Sequence, residues 1–266
     1  MQTLKQSNEE LDYSAYQERQ YGEISKSGLE TRALSLGIGG RASYSYKRWT
    51  PLSYPGFALQ AMLSESSQHE SLSLELQEIQ KRIDHSIGRE GVLYPLPAPS
   101  FHQTVANTFS ADRLRRHVID NGILDTFPSI IENALNDWKK PDAQRPVSMR
   151  LIGLSLFRTA IGALGVFESR SDFERVIEFR DFFYGHPKLE AIGLTRTRPF
   201  IGHVTLNYVE DSLSGYEKQC LINQISRINE DLSGKQLVMQ MPIAKLHRYD
   251  NLSAFITNPQ FPSALL

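Results

Sequence analysis

The pattern of apolar and polar positions divides the chain into short runs of strand character and longer amphipathic stretches. Residues 1–35 are rich in Gln, Glu, Ser and Lys with few aliphatics, which predicts a solvated arm or a peripheral helix rather than core, with no chemistry expected there. From Gly37 a glycine turn leads into alternating small and aromatic residues up to Trp49, the pattern of a half-buried strand. A long helix is expected next, from Phe57, Leu59, Met62 and Leu63 through a polar break at 64–70 to Leu72, Leu74, Leu76, Ile79 and Ile83. Pro95, Pro97 and Pro99 forbid a helix before Ser100, and the β-prone run 101–109 predicts a strand. Ser110-Ala-Asp-Arg opens a helix with a hydroxyl cap, interrupted near Asn121-Gly122 and continuing to Trp138.

Residues 147–157 and 159–167 predict a hairpin, and 172–183 a helix ended by Gly185-His186-Pro187. A strand over 199–209, a helix over 212–232 closed by Ser233-Gly234, and a last hairpin from 236–248 and 252–257 complete the chain. The order strand, helix, strand pair thus occurs twice, each time led by a strand carrying His-x-Thr. Two similar lobes facing each other are expected, with an arm at 1–35 and a single bilobal domain over 36–266.

Composition narrows this picture without changing it. With 266 residues, 40% of them apolar, the chain can bury a sizeable core, and a formal charge of -1 provides no global field for an extended nucleic-acid duplex. Cys220 is the only cysteine, which rules out an internal disulfide and multi-cysteine metal sites and fits a reducing, cytoplasmic setting. The polar start does not read as a signal peptide, and no run approaches the roughly 18 apolar residues of a membrane span.

The chemistry concentrates in His102-Gln-Thr104 and His203-Val-Thr205. In a strand, residues i and i+2 share a face, so each histidine projects with its threonine while Gln103 and Val204 point away. Seven histidines, each with roughly a one-in-eight chance of Ser or Thr two places on, yield about one such triplet by accident. His69-Glu-Ser71 is assigned to chance, because it lies in a helical or looped stretch where i and i+2 diverge. The other two occupy corresponding apolar strands. Converged across a cleft, two imidazoles and two hydroxyls suit in-line attack on phosphorus, one histidine taking a proton from water and the other giving one to the leaving oxygen, with no metal or cofactor required.

Phe101-His102-Gln103-Thr104-Val105 and Pro199-Phe-Ile-Gly-His203-Val204-Thr205-Leu206 resemble the paired His-hydrophobic-Thr/Ser-hydrophobic signatures of the 2H phosphoesterase superfamily, which includes 2′-5′ RNA ligase-like proteins and 2′,3′-cyclic phosphodiesterases. The resemblance spans 101–257. It implies an α+β, bilobal fold with two antiparallel sheets and outer helices flanking a central cleft, His102 and His203 as catalytic groups, and Thr104 and Thr205 as substrate contacts. Arg198 matches the arginine of an Arg-x-Phe-x-x-His pattern and is the expected further phosphate contact. Gln103 departs from the usual apolar residue, Gly202 from a proline often found before the second histidine, and Tyr208 from a basic residue.

The other signals are discounted. Gly37-Ile-Gly-Gly40 lacks full dinucleotide-loop spacing and reads as a turn. Cys220 is expected as a small buried helix residue, His117 and His186 as structural or superficial, the Lys245, His247, Arg248 and Tyr249 cluster as a solvated turn, and Arg150 is left outside the site. The expected function is hydrolysis of a cyclic or 2′-linked phosphodiester on a nucleotide, RNA end or related metabolite. The alternatives are a non-catalytic RNA- or nucleotide-binding module on the same fold, and a structural or partner-binding protein whose working surface is the arm at 1–35 with the long leading helix.

Overall fold

A computed structural model describes residues 9–139, 145–256 and 258–266. The chain runs α1 (Tyr13–Ile24), α2 (Lys26–Leu34), β1 (Ala42–Ser45), β2 (Arg48–Pro51), β3 (Gly56–Met62), α3 (Glu70–Ile87), β4 (Leu93–Pro95), β5 (His102–Ser110), α4 (Ala111–Leu114), α5 (Phe127–Leu135), β6 (Val147–Leu156) and β7 (Ala160–Phe167). It continues through α6 (Arg170–Tyr184), α7 (Pro187–Glu190), β8 (His203–Val209), α8 (Gly215–Leu232), β9 (Leu237–Met241), β10 (Ile243–Asn251), β11 (Ala254–Ile256) and β12 (Ser263–Leu265). Two five-stranded antiparallel sheets result. One has the order β11-β10-β3-β5 with β12 also on β10, the other β4-β8-β7-β6-β9, and β1 and β2 form a separate hairpin.

The long helices form where apolar residues recur every three or four positions. Leu72, Leu76, Ile79, Ile83 and Ile87 make the buried stripe of α3, and Leu221, Ile225, Ile228 and Leu232 that of α8. Gly88, at φ 65°, ends α3 in a left-handed conformation that a side chain would strain. A capping box between Ser214 and Glu217 starts α8. Helices α3 and α8 pack on each other and against the second sheet, while α6 touches strands of both sheets. No helix among the described residues is long and apolar enough to cross a membrane.

Three sequence expectations are corrected. Residues 56–62 form a central strand rather than the start of a helix, because every residue of β3 is buried between β10 and β5 and no one-sided alternation marks it. The hairpin after the first motif, β6 with β7, joins the sheet of the second motif, so the repeated order in sequence does not map onto the two lobes. The expected last hairpin divides at Pro242: β9 pairs with β6 in the second sheet, whereas β10 crosses to the first and forms its hairpin with β11. Thr257, its expected end, lies outside the described residues.

The polar start also differs from a solvated arm. Helices α1 and α2 pack on β6, and Tyr16, Gln20, Leu29 and Ala33 are buried. Tyr16 sits among Phe167, Phe173 and Phe200, with ring centroids 4.9–6.0 Å apart. Its hydroxyl donates to Gly165 O at 2.6 Å, and Gln20 Nε2 donates to Gly165 O and Gly202 O, each at 2.8 Å. A few well-placed residues do what the low aliphatic content did not foretell. A Cβ at Gly202 would stand 2.4 Å from the Tyr16 hydroxyl, so the missing proline before His203 is the space this helix occupies.

Tyr16→Phe is expected to lower stability by about 0.5–1.5 kcal/mol through loss of one buried hydrogen bond, Gly165 O keeping Gln20 as its donor, and Tyr16→Ala by about 3–5 kcal/mol through loss of a large buried ring. Urea unfolding monitored by circular dichroism measures both; unchanged midpoints would show that α1 is not part of the core.

Candidate active site

Both motif strands expose the same positions. In β5 the partly exposed residues are His102, Thr104, Asn107 and Ser110, and in β8 they are His203, Thr205 and Tyr208. The step from the second to the third position is three rather than two because each strand slips register there against its neighbour, β5 against β3 and β8 against β7. The likeness of the two strands therefore runs one position beyond His-x-Thr. These faces line one cavity of about 270 Å³ that holds all five residues singled out in the sequence, His102, Thr104, Arg198, His203 and Thr205.

The two histidines are held alike. His102 Nδ1 lies 2.7 Å from Ser100 O and His203 Nδ1 3.0 Å from Ile201 O, each the carbonyl two residues earlier. A carbonyl can only accept, so Nδ1 carries the hydrogen and Nε2 keeps its lone pair in the neutral ring. Each ring also rests on a phenylalanine, His102 on Phe255 at 4.8 Å and His203 on Phe157 at 5.0 Å. Among the described residues, neither Nε2 and neither threonine hydroxyl hydrogen-bonds to protein.

Burial lowers the pKa of His102 to about 4, opposed by its bond to Ser100 and assisted by nearby His247. Burial lowers His203 to about 3, and the positive charge of Arg198 adds to the effect. Both rings are enclosed by protein yet keep some surface on the cavity. They are neutral at pH 7.

Gln103, expected only to face away from the cleft, joins the two lobes. It is fully buried, its Oε1 accepts from the backbone N–H of His203 at 2.5 Å, and its Nε2 donates to Thr104 O at 2.7 Å and Ile201 O at 3.1 Å. One side chain thus binds the carbonyl that orients His203 and the strand that carries His102. Arg180 of α6 makes a second tie: Nη1 donates to Val105 O at 2.6 Å and Nη2 to Arg198 O at 3.0 Å, while Nε pairs with Glu10 at 2.6 Å. Glu10 in turn accepts from Phe200 N at 2.6 Å. The segment carrying Arg198 is fixed at both ends.

Several cavity residues escaped sequence reasoning: Arg41, Tyr54 and Gln60 come from upstream of the motifs, and Tyr249 from the cluster read as a solvated turn. That cluster is strand β10, in which buried His247 contacts Glu65 at 3.1 Å. The remaining histidines lie elsewhere. His69 is buried and accepts from Gln240 N at 3.0 Å, His117 stacks on Phe109, and His186 pairs with Asp137. Cys220 is partly exposed on α8 rather than buried, and Arg150 reaches Tyr21 on the outer face. Among the described residues, no group of three or more His, Cys, Asp or Glu is arranged to hold a metal ion.

No protein-family model matches the chain, and no curated protein matches it significantly. Among solved structures it is similar to the conserved protein of unknown function ATU0111 from Agrobacterium tumefaciens str. C58, with 20% identity over 91% of this chain and 98% of that one and a TM-score of 0.58. Looser likenesses are to a structure described as a phosphoesterase, at 11% identity, 80% and 93% coverage and TM-score 0.37, and to Usb1 of Kluyveromyces marxianus, at 12% identity, 80% and 98% coverage and TM-score 0.41. The bilobal α+β fold of this chain is one it shares with ATU0111 over nearly the whole of both proteins.

Proposed function

We propose that the cavity hydrolyses a phosphodiester, specifically a cyclic or 2′-linked phosphate on a nucleotide, RNA end or related metabolite, by acid–base catalysis from His102 and His203. The observation that carries this reading is the matched pair: two His-Thr couples on one cavity, each imidazole fixed through Nδ1 and free at Nε2. The resemblance of both motifs to 2H phosphoesterase signatures supports it.

In the proposed reaction one Nε2 removes a proton from water as the water oxygen attacks phosphorus. The bond to the leaving ribose oxygen breaks, and the other ring, protonated, supplies the proton that oxygen takes. Thr104 and Thr205 donate to the non-bridging oxygens, and Arg198 offsets their growing negative charge. Both imidazoles are enclosed by protein, where such contacts are stronger than in bulk solvent. Either histidine can be the base, and the symmetry of their surroundings favours neither.

The test is turnover of 2′,3′-cyclic mononucleotides in excess EDTA, with 2′- and 3′-monophosphate products resolved. His102→Ala and His203→Ala are each expected to reduce kcat/KM by about 10²–10⁴-fold, the range for one acid–base step. Thr104→Val and Thr205→Val are each expected to lose about tenfold or more, as for one hydrogen bond to a charged group. Full activity in both histidine variants would contradict the proposal, while tight nucleotide binding without product would leave the binding-module alternative standing.

A pH dependence follows from the two depressed values, about 4 and about 3. A reaction that needs one neutral and one protonated ring finds that combination in the free protein only near those values, and its fraction falls about tenfold per pH unit above them. The logarithm of kcat/KM is therefore expected to fall with a slope near -1 from about pH 5 to 8. A bound phosphate anion holds a proton on one ring, so kcat should stay level to higher pH than kcat/KM. Initial rates across that range decide it, and a kcat/KM that rises with pH would contradict the assignment.

A further inference from the structure

The cavity has two ends. At one stand the His-Thr couples; about three residues further along β8, on the order of 10 Å, stand Tyr208, Tyr54, Tyr249 and Arg41, with Arg198 between, its charge felt by both His203 and Tyr208. Two arginines line the space and no carboxylate does.

Arg41 is placed with care. The glycine turn before it puts its backbone N–H on Glu210, 2.8 and 2.9 Å from the two carboxylate oxygens, and the loop is further held by Gly39 N donating to Val209 O at 2.6 Å. The turn seats the chain's own Glu210 on backbone amides, chiefly the Arg41 N–H, and the Arg41 guanidinium adds a weaker attraction without forming an ion pair. The Arg41 guanidinium instead lies 4.0 Å above the Tyr54 ring, and its Nε is buried without a hydrogen-bond partner. Among the described residues neither Arg41 nor Arg198 makes an ion pair through its side chain. A preorganised, unpaired guanidinium in a carboxylate-free cavity is a site for an anion, and its planar fork matches a phosphate. At the His-Thr end Gln60, 2% exposed and opposite Thr104 in register, has no hydrogen-bond partner for its Oε1. A sugar hydroxyl is the kind of donor that fits there.

We infer that the substrate carries a second phosphate besides the one that is cleaved: a sugar or nucleoside cyclic phosphate whose terminal phosphate is bound by Arg41 at the tyrosine end. This rests on the phosphodiesterase reading and sets its substrate class. A cavity of about 270 Å³ lies near the small end of ligand sites and suits one compact bis-anionic molecule rather than a length of RNA.

The experiment compares 2′,3′-cyclic adenosine phosphate bearing either a 5′-hydroxyl or a 5′-phosphate, using the full-length protein and Arg41→Gln, with Arg41→Lys as a charge-retaining control. The 5′-phosphate is expected to lower KM by roughly ten- to a hundredfold in the unaltered protein, the effect of one charge-assisted contact. That ratio should collapse towards one in R41Q and recover in part in R41K. Equal KM values for the two substrates, or a preference that survives R41Q, would overturn the inference while leaving phosphodiesterase activity intact. If neither compound turns over, the phosphodiesterase reading fails by itself, and calorimetry with adenosine 3′,5′-bisphosphate against adenosine 3′-monophosphate tests Arg41 separately. The bisphosphate should then bind at least about tenfold more tightly, an advantage lost in R41Q; equal affinities would overturn the inference.

Discussion

The buried amide of Gln103 is the contact on which the geometry of this molecule turns. Two sheets that share no strand must hold two histidines over one cavity, and strands in separate sheets have no ladder of backbone bonds to fix their distance. Gln103 substitutes for that ladder. It offers both an acceptor and a donor, so one side chain satisfies the N–H of His203 and the carbonyl of Ile201 at once. An apolar residue there would leave the His203 N–H without its partner, at about 1–3 kcal/mol, and would leave Ile201 O with His203 Nδ1 alone. The same alternation that turns Thr104 towards the cavity turns Gln103 into the junction between lobes.

Around that junction the fold spends buried polar groups rather than bulk. Arg180 and Glu10 are 3% and 7% exposed in their side chains, and together they reach β5, the segment before β8 and the N-terminal stretch. A buried ion pair of this kind adds little net stability over an apolar replacement, but losing either partner strands a charge, and the arrangement enforces one geometry. Tyr16 and Gln20 act likewise on the carbonyls of Gly165 and Gly202. The approach to His203 is therefore set by residues far away in sequence.

The sequence made the local part of this legible. His102 with Thr104 and His203 with Thr205 could be paired because strand alternation is a local rule, and β6, β7, α6 and α8 could be placed from their apolar spacing. Arg198 was found because it lies five residues before its histidine. Arg41, Tyr54, Gln60 and Tyr249 were not: Gln60 and Tyr249 reach the cavity through sheet pairings that bring β3 and β10 beside β5, Tyr54 through its N–H on Asp250 O, and Arg41 through a loop held on Val209 and Glu210. The strand β3 was misread because burial on both faces erases the alternation that marks a strand. The burial of α1 and α2 was missed because composition averages over a stretch in which a few residues, Tyr16, Gln20, Leu29 and Ala33, make the packing. Gln103 drew notice as a departure from a pattern, yet its role depends on a residue a hundred positions away.

The central claim is that two imidazoles from opposite lobes form one anion site. Their ring nitrogens can be followed by 15N NMR while a phosphate monoester is titrated into the protein near neutral pH. The account predicts that both His102 and His203 respond together, with one Nε2 passing from lone pair to proton as the anion binds, while His117 and His186 stay unchanged. A response confined to one of the two rings, or absent from both at saturating ligand, would contradict it.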